Sequence, residues 1–237
     1  MIYLPNEMIY KIASFLKGNH TIIALGTVFP NLRFKLNGFP YLDYQELHKY
    51  KDQFIIENII INYPEELNDK SLPNTIKIMQ LGRMFNQPID FHLPDNLEKL
   101  YLGSYFNHPI DGLLPSNLKK LVVFDKFNHP VDDLPPGLEE LNMGIHFNHP
   151  IDNLPKNLKI LWLRRNFNQT LENLPQSLET LHLPCFYSNI LTKLPDNLKR
   201  IKTWTRFKPD YVGEKEIDYI KDFYPNLKIE YHYKNIW

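Results

Sequence analysis

The chain has 237 residues, 43% hydrophobic and 14% aromatic, with 27 basic and 27 acidic side chains. That apolar content suffices for a packed core and argues against disorder, while a net charge of zero leaves no overall field to attract nucleic acid or a membrane surface. A single cysteine, Cys185, forbids an internal disulfide and fits a reducing compartment.

The N-terminus lacks the basic and apolar regions of a signal peptide. The apolar runs at 22–29 and 54–61 are too short or too interrupted to span a bilayer. A cytoplasmic protein is expected. Residues 1–50 carry no repeat. Leu4-Pro5-Asn6-Glu7 opens a predicted helix, with Asn6 as N-cap. Met8, Ile9, Ile12, Ala13, Phe15 and Leu16 mark its apolar face, and Gly18 ends it. A second helix is predicted over 21–28, before Pro30, and a third over 43–50. Helices this short bury little alone, so an apolar partner is expected. Residues 51–71 join this region to the rest. Phe54, Ile56, Ile59 and Ile61 form a β-rich run there, read as a degenerate first coil.

From Leu72 to Trp204 the sequence repeats. A Phe-Asn step recurs at Phe85-Asn86, Phe106-Asn107, Phe127-Asn128, Phe147-Asn148 and Phe167-Asn168. A Leu-Pro step recurs at Leu72, Leu93, Leu114, Leu134, Leu154, Leu174 and Leu194, with a period of 21 residues and then 20. A fixed period in this range is the mark of a solenoid. Inside each unit the apolar residues fall as Leu-x-x-Leu-x-Leu, as in Leu97, Leu100 and Leu102. The alternating part predicts one short strand per unit, hence a parallel sheet of about seven strands spanning roughly 30 Å. Most units carry two prolines, such as Pro109 and Pro115, which excludes helical returns. The Phe column, ending at Tyr187, is expected to stack inside. Each Asn after it is expected to be buried and to bond its own loop and the next. Together they read as a structural ladder.

Strand alternation turns Lys99, Tyr101 and Gly103 outward, and with them Lys120, Val122 and Phe124, then Glu140, Asn142 and Gly144. Toward the C-terminus the same positions hold Trp162, Arg164, His182, Arg200, Lys202 and Trp204. Aromatic and arginine clusters are the material of binding hot spots. With Tyr101 these residues are the candidate target-binding set, and their positive charge suits an acidic or phosphorylated protein segment. The alternative is that the C-terminal cap covers this face and buries its tryptophans. That cap, residues 205–237, predicts a helix over 214–224, stopped by Pro225, and a last strand through Leu227, Ile229 and Tyr231.

Phe85-Asn-Gln-Pro-Ile89, Phe106-Asn-His-Pro-Ile110 and Phe147-Asn-His-Pro-Ile151 resemble the FNIP repeat, a leucine-rich-repeat relative of amoebal and giant-virus proteins. Val131, Thr170 and Leu171 depart from the motif. The N-terminal Leu4-Pro5-x-Glu7 with Ile12, Phe15 and Leu16 resembles the opening of an F-box, and Val28-Phe29-Pro30-Asn31-Leu32-Arg33 falls where that family has a Val-Cys-x-x-Trp-Arg segment. Thr21-Ile22 replaces the usual Asp-Leu pair, and the late Cys and Trp are absent. The resemblance implies docking to a Skp-type adaptor of a cullin–RING ubiquitin ligase through Leu4, Pro5, Ile9, Ile12, Phe15 and Leu16. The competing reading makes these helices a plain cap on a structural or interaction solenoid.

No catalytic constellation emerges. Cys185 lacks the orienting partner and oxyanion site a nucleophile needs. His108, His129 and His149 share one repeat position, but a metal site needs a closing ligand. The expectation is an α+β protein in four parts. Residues 1–50 form a helical F-box-like region, 51–71 a linker, 72–204 a leucine-rich-repeat-like parallel β solenoid with non-helical returns, and 205–237 a helix-strand cap. It acts by recognition, without enzyme activity, cofactor or metal. If viral, it would work in the host cytoplasm.

Overall fold

The computed structural model describes residues 34–35, 42–43, 54–55, 57–61, 72–184, 187–189, 191, 193–205 and 224–233. Among these the strands are β1 (Phe34–Lys35), β2 (Leu42–Asp43), β3 (Phe54–Ile55), β4 (Asn58–Ile61), β5 (Ile78–Leu81), β6 (Lys99–Tyr101), β7 (Lys120–Val122), β8 (Glu140–Asn142), β9 (Ile160–Trp162), β10 (Thr180–Leu183), β11 (Arg200–Thr205) and β12 (Lys228–Tyr233).

Each unit closes its coil with two tight turns. In the first, Leu97 N–H donates to the Pro94 carbonyl at 3.0 Å, and Leu118, Leu138, Leu158, Leu178 and Leu198 do the same with their own prolines. Proline fits because the turn uses its carbonyl and never its missing N–H. A strand of three to six residues follows. The second turn is closed by Phe106 N–H on the Gly103 carbonyl at 3.1 Å, with Phe85 and Phe167 repeating it. The return through Asn-x-Pro to the next Leu-Pro contains no helix.

Ten strands form one sheet in the order β12-β11-β10-β9-β8-β7-β6-β5-β4-β2, and β1 pairs separately with β3. Every pairing in both sheets is parallel. From β4 to β12 each strand pairs with its sequence neighbours, so each coil rests on the coil before it, as in other repeat folds. At the usual strand spacing the ten strands span about 43 Å. The sheet outgrows the expected span because β2 and β4 extend it at one end and β12 at the other.

The alternation aims Leu97, Leu100 and Leu102, and their equivalents in every coil, into a single core. Phe85, Phe106, Phe127, Phe147 and Phe167 are all essentially fully buried. Their rings stack in a column, with neighbouring centroids 6.1 to 6.4 Å apart up to Tyr187. That spacing is the range aromatic pairs favour. Tyr187 keeps a polar tip: its hydroxyl donates to the Gln169 carbonyl at 3.0 Å, and burial pushes its phenol up to about 12.

The α+β expectation is overturned. The described residues form a parallel, leucine-rich-repeat-like β solenoid and contain no helix. Prolines in the returns explain this within the repeats. Inside residues 1–50 the described pieces are strands β1 and β2, and Asp43, expected to start a third helix, lies in β2. The two earlier helices predicted there, and residues 214–223 of the C-terminal one, lie outside the described residues. Tyr224, expected to end that C-terminal helix, instead begins a turn, its carbonyl accepting from Leu227 N–H at 3.0 Å. The strand that follows continues the solenoid in register, Arg200 facing Lys228 and Ile201 facing Ile229.

Candidate protein-interaction surface

Three rows of polar side chains run along the solenoid, and they separate structural positions from available ones. The first is the asparagine ladder. Asn107 N–H donates to Asn86 Oδ1 at 3.0 Å, Asn128 to Asn107 at 2.9 Å, Asn148 to Asn128 at 3.0 Å and Asn168 to Asn148 at 2.9 Å. These asparagines are exposed, not buried as expected. The phenylalanine before each one points inward, so the asparagine points out and spends its side chain on the next coil. The histidines beside them are structural too. His108, His129 and His149 each donate through Nε2 to the asparagine carbonyl one coil back, at 3.2, 3.0 and 3.1 Å. Their rings also lean on the Phe column at about 6 Å. No group of three or more metal-ligating side chains occurs among the described residues.

The second row lies at the start of the strands and was missed in the sequence. One position per coil reads Glu57, Lys77, Glu98, Lys119, Glu139, Lys159, Glu179, Lys199. Their backbones are linked in that order, each N–H donating to the carbonyl of the one before, at 2.7 to 3.0 Å. Acid and base therefore alternate along this rim. Lys159 meets Glu139 at 2.7 Å, Lys199 meets Glu179 at 2.8 Å and Lys77 meets Glu57 at 3.3 Å. The hydrogen bond from Lys159 holds the Glu139 carboxyl below its ordinary range, and Lys199 does the same to Glu179. The signal was available, but it repeats only every second unit, so a search for unit-length periodicity passes over it.

The third row is the outward sheet face. Tyr101, Val122, Asn142, Trp162, His182 and Lys202 lie side by side on β6 to β11. Tyr101 and Trp162 are half-buried. Lys120 reaches over the Tyr101 ring at 6.0 Å and is paired with Glu140 at 2.8 Å. Arg164 is exposed. Its guanidinium lies 6.0 Å from the Trp162 ring centre, and its Nε donates to Asn142 Oδ1 at 3.1 Å. A cation held over an indole in this way is attracted by the ring face.

His182 differs from its expected exposure. It is 3% exposed and stacks flat on Trp162, ring centres 3.2 Å apart. It therefore props the indole and is covered by it. Val122 is likewise buried, at 5%. Arg200 is exposed, whereas Lys202 is half-buried and meets Glu230 of the last strand at 3.6 Å. That glutamate lowers the positive charge expected at this end. Trp204 lies on β11 opposite His232, and its side chain is outside the described residues. Leu4, Pro5, Ile9, Ile12, Phe15, Leu16 and Cys185 are also outside them. No helix among the described residues is long and apolar enough to cross a membrane.

Comparison with known proteins agrees with this coil anatomy. The family model described as FNIP Repeat matches residues 62–105, 85–123, 106–146 and 147–186, together more than half of the chain. No curated protein matches. Among solved structures, the one described as "The crystal structure of CroV588 a novel circular LRR protein structure" is similar at 30% sequence identity and a TM-score of 0.53. The similarity covers 66% of this chain but only 24% of that one, so this chain spans about a quarter of its length.

Proposed function

The chain belongs to the FNIP repeat family, and from that membership we propose that it is a non-enzymatic protein-interaction module of the cytoplasm. The observation that carries the reading is the outward row on β6 to β11. There Tyr101 and Trp162 stand on a rigid parallel sheet, with Arg164 fixed over Trp162 by Asn142. Rigid aromatic anchors beside an oriented arginine are what a protein interface uses most strongly. The target is a protein segment with acidic or phosphorylated side chains, met by Arg164 and Arg200.

The finer reading is a substrate-recognition adaptor of a cullin–RING ubiquitin ligase. It rests on the F-box-like sequence, with Leu4, Pro5, Ile9, Ile12, Phe15 and Leu16 facing the Skp-type adaptor and the solenoid holding the protein to be modified. If the protein is viral, it redirects the host ligase. The test is co-purification of the full chain with a Skp-type adaptor, before and after changing Leu4 and Pro5 together to Ala. Loss of the adaptor with an unchanged melting temperature supports the reading. Retained or absent binding in both forms makes the N-terminal segment a cap. Changing Trp162 and Arg164 together to Ala tests the target face in the same preparation. Lost partners with unchanged melting support the face, and unchanged partners with lower melting make these residues core.

A further inference from the structure

The rim where the strands end differs from the rim where they start. In five successive coils the residues after the strand read Gly82-Arg83-Met84, Gly103-Ser104-Tyr105, Phe124-Asp125-Lys126, Gly144-Ile145-His146 and Arg164-Arg165-Asn166. Backbone bonds tie them into one row. Tyr105 N–H donates to the Arg83 carbonyl at 3.1 Å, and Lys126 to Ser104, His146 to Asp125 and Asn166 to Ile145 each at 3.0 Å. The rim is thus a continuation of the sheet's order and not a set of independent loops.

Its side chains are unusual for a surface. Met84 is 63% exposed, Tyr105 41% and Phe124 37%, and they sit on three consecutive coils. The glycines explain part of this. Phe124 is flanked in the stack by Gly103 and Gly144, so no neighbouring side chain at that position lies over its ring. The close fit is backbone to backbone: a Cβ on Gly144 would run into the Phe124 carbonyl. Scattered exposed apolar residues need no explanation, but three on consecutive coils of one rim, Met84 and Tyr105 at its third position and Phe124 at its first, are more than scatter.

The charge on this rim is equally one-sided. Arg83, Lys126, Arg164 and Arg165 are exposed and make no ion pair among the described residues, and the acid in the run is Asp125. At the starting rim every cation alternates with a glutamate. A neutral chain has thus concentrated unpaired positive charge beside its exposed aromatics. The apolar residues lie toward β5 to β7, and Arg164 and Arg165 lie at β9.

We propose that this strand-end rim is a second docking surface, for an extended segment of a partner protein in which two apolar side chains are followed by acidic ones. The inference rests on the reading of the chain as an interaction module and uses a rim that shares only Arg164 with the outward sheet face. Four strand spacings separate Met84's coil from Arg164's, about 19 Å, which about six residues of extended chain would cover. The apolar pair covers Met84, Tyr105 and Phe124, and the acids reach Arg164 and Arg165. Arg164 is already oriented by its bond to Asn142, leaving its other nitrogens to grip a carboxylate from two points. A nucleic acid is the poorer fit. It would leave Met84 and Phe124 unburied and would meet Asp125 within a run of only four cations.

The test uses the full chain and a fluorescein-labelled peptide of about a dozen residues containing Leu-Ser-Phe-Ser-Asp-Ser-Glu, whose alternate side chains share one face when extended. Controls replace the Asp and Glu by Lys, replace the Leu and Phe by Ser, or use an oligothymidine of similar length. The acidic-apolar peptide should bind saturably and at least about tenfold more tightly than any control. Arg164→Glu with Arg165→Glu, and separately Met84→Ser with Tyr105→Ser, should each weaken it by about tenfold. Lys119→Gln, on the other rim, should leave it unchanged. If the serine pair lowers the melting temperature, the arginine pair decides. Equal binding of the peptide and its controls, tighter binding of the oligonucleotide, or unchanged binding in both rim variants overturns the proposal. If the peptide fails while Trp162→Ala alone, which leaves the rim residues in place, still removes partners, the rim proposal falls and the module reading stands.

Discussion

Phe127→Ala would open a hole in the middle of the aromatic column. Phe127 is fully buried, 6.3 Å from Phe106 on one side and 6.4 Å from Phe147 on the other, with His129 against its edge at 5.9 Å. Removing a buried phenylalanine costs about 3–5 kcal/mol. Two stacked neighbours lose a partner as well, each pair being worth about 0.5–1.5 kcal/mol beyond its buried area. The upper part of the range, about 4–5 kcal/mol, is therefore expected. At about 2–4 °C per kcal/mol for a chain of this size, the melting temperature should fall by about 10 °C or more. His129→Ala is the matched control two residues away. It removes one part-exposed bond, Nε2 to the Asn107 carbonyl at 3.0 Å, and an edge contact, for about 1 kcal/mol. Urea unfolding followed by far-ultraviolet circular dichroism measures both. The denaturant slope should be followed too, because a gap in mid-stack can uncouple the two halves of a solenoid. Equal shifts for the two variants, or less than about 2 kcal/mol for Phe127→Ala, would refute the assignment of the column to the inside.

Gly144→Ala should destabilise by about 1–3 kcal/mol, because its Cβ would collide with the Phe124 carbonyl and force two coils apart; a melting curve unchanged from wild type would show that the coils can separate freely there. Acidification should lower the melting temperature. Glu139, Glu179 and Glu230 have carboxyls held down by Lys159, Lys199 and Lys228 respectively, so their contribution is present above the ordinary carboxylate value and disappears as pH falls through their lowered ones. Lys159 is shifted upward by Glu139, so its share is present at neutral pH and is lost only in strong alkali. These pairs are exposed, so the slope should be shallow and should flatten in high salt. A melting profile of Lys159→Gln that follows wild type through the acid limb would show that the rim pairs add nothing.

The coil was legible because its determinants are local. Leu-Pro sets one turn, Leu-x-Leu sets the strand, and the Phe-Asn step sets where the chain goes inside and then out again. Each of these is readable within a single unit. The polarity of the asparagines was not, because it depends on what the residue bonds. Asn107 can satisfy its side chain on Asn128 of the next coil while standing in solvent, so burial is not needed to make it structural. The last strand was legible for the same reason as the coil. Leu227, Ile229 and Tyr231 alternate, and β12 stands at the edge of the sheet in parallel register with β11, as one more coil would.

The two rims show where reading one unit at a time stops. A single glutamate or lysine at the strand start carries no message, since either is an ordinary surface residue. Stacking makes the message, by putting Glu139 against Lys159 and Glu179 against Lys199. At the strand end the reverse holds. Gly82, Gly103 and Gly144 look like turn residues taken singly, yet in the stack Gly103 and Gly144 flank Phe124 and leave its ring uncovered. Balanced charge on one rim offers a partner little, because Lys77, Lys159 and Lys199 are already answered by acids of the same chain. Unanswered arginines beside exposed Met84, Tyr105 and Phe124 still have interactions to make. A solenoid with identical coils would present the same chemistry on every edge. This one keeps its coil-forming residues near constant and varies the rim and face positions, and those varied positions are where recognition is to be sought.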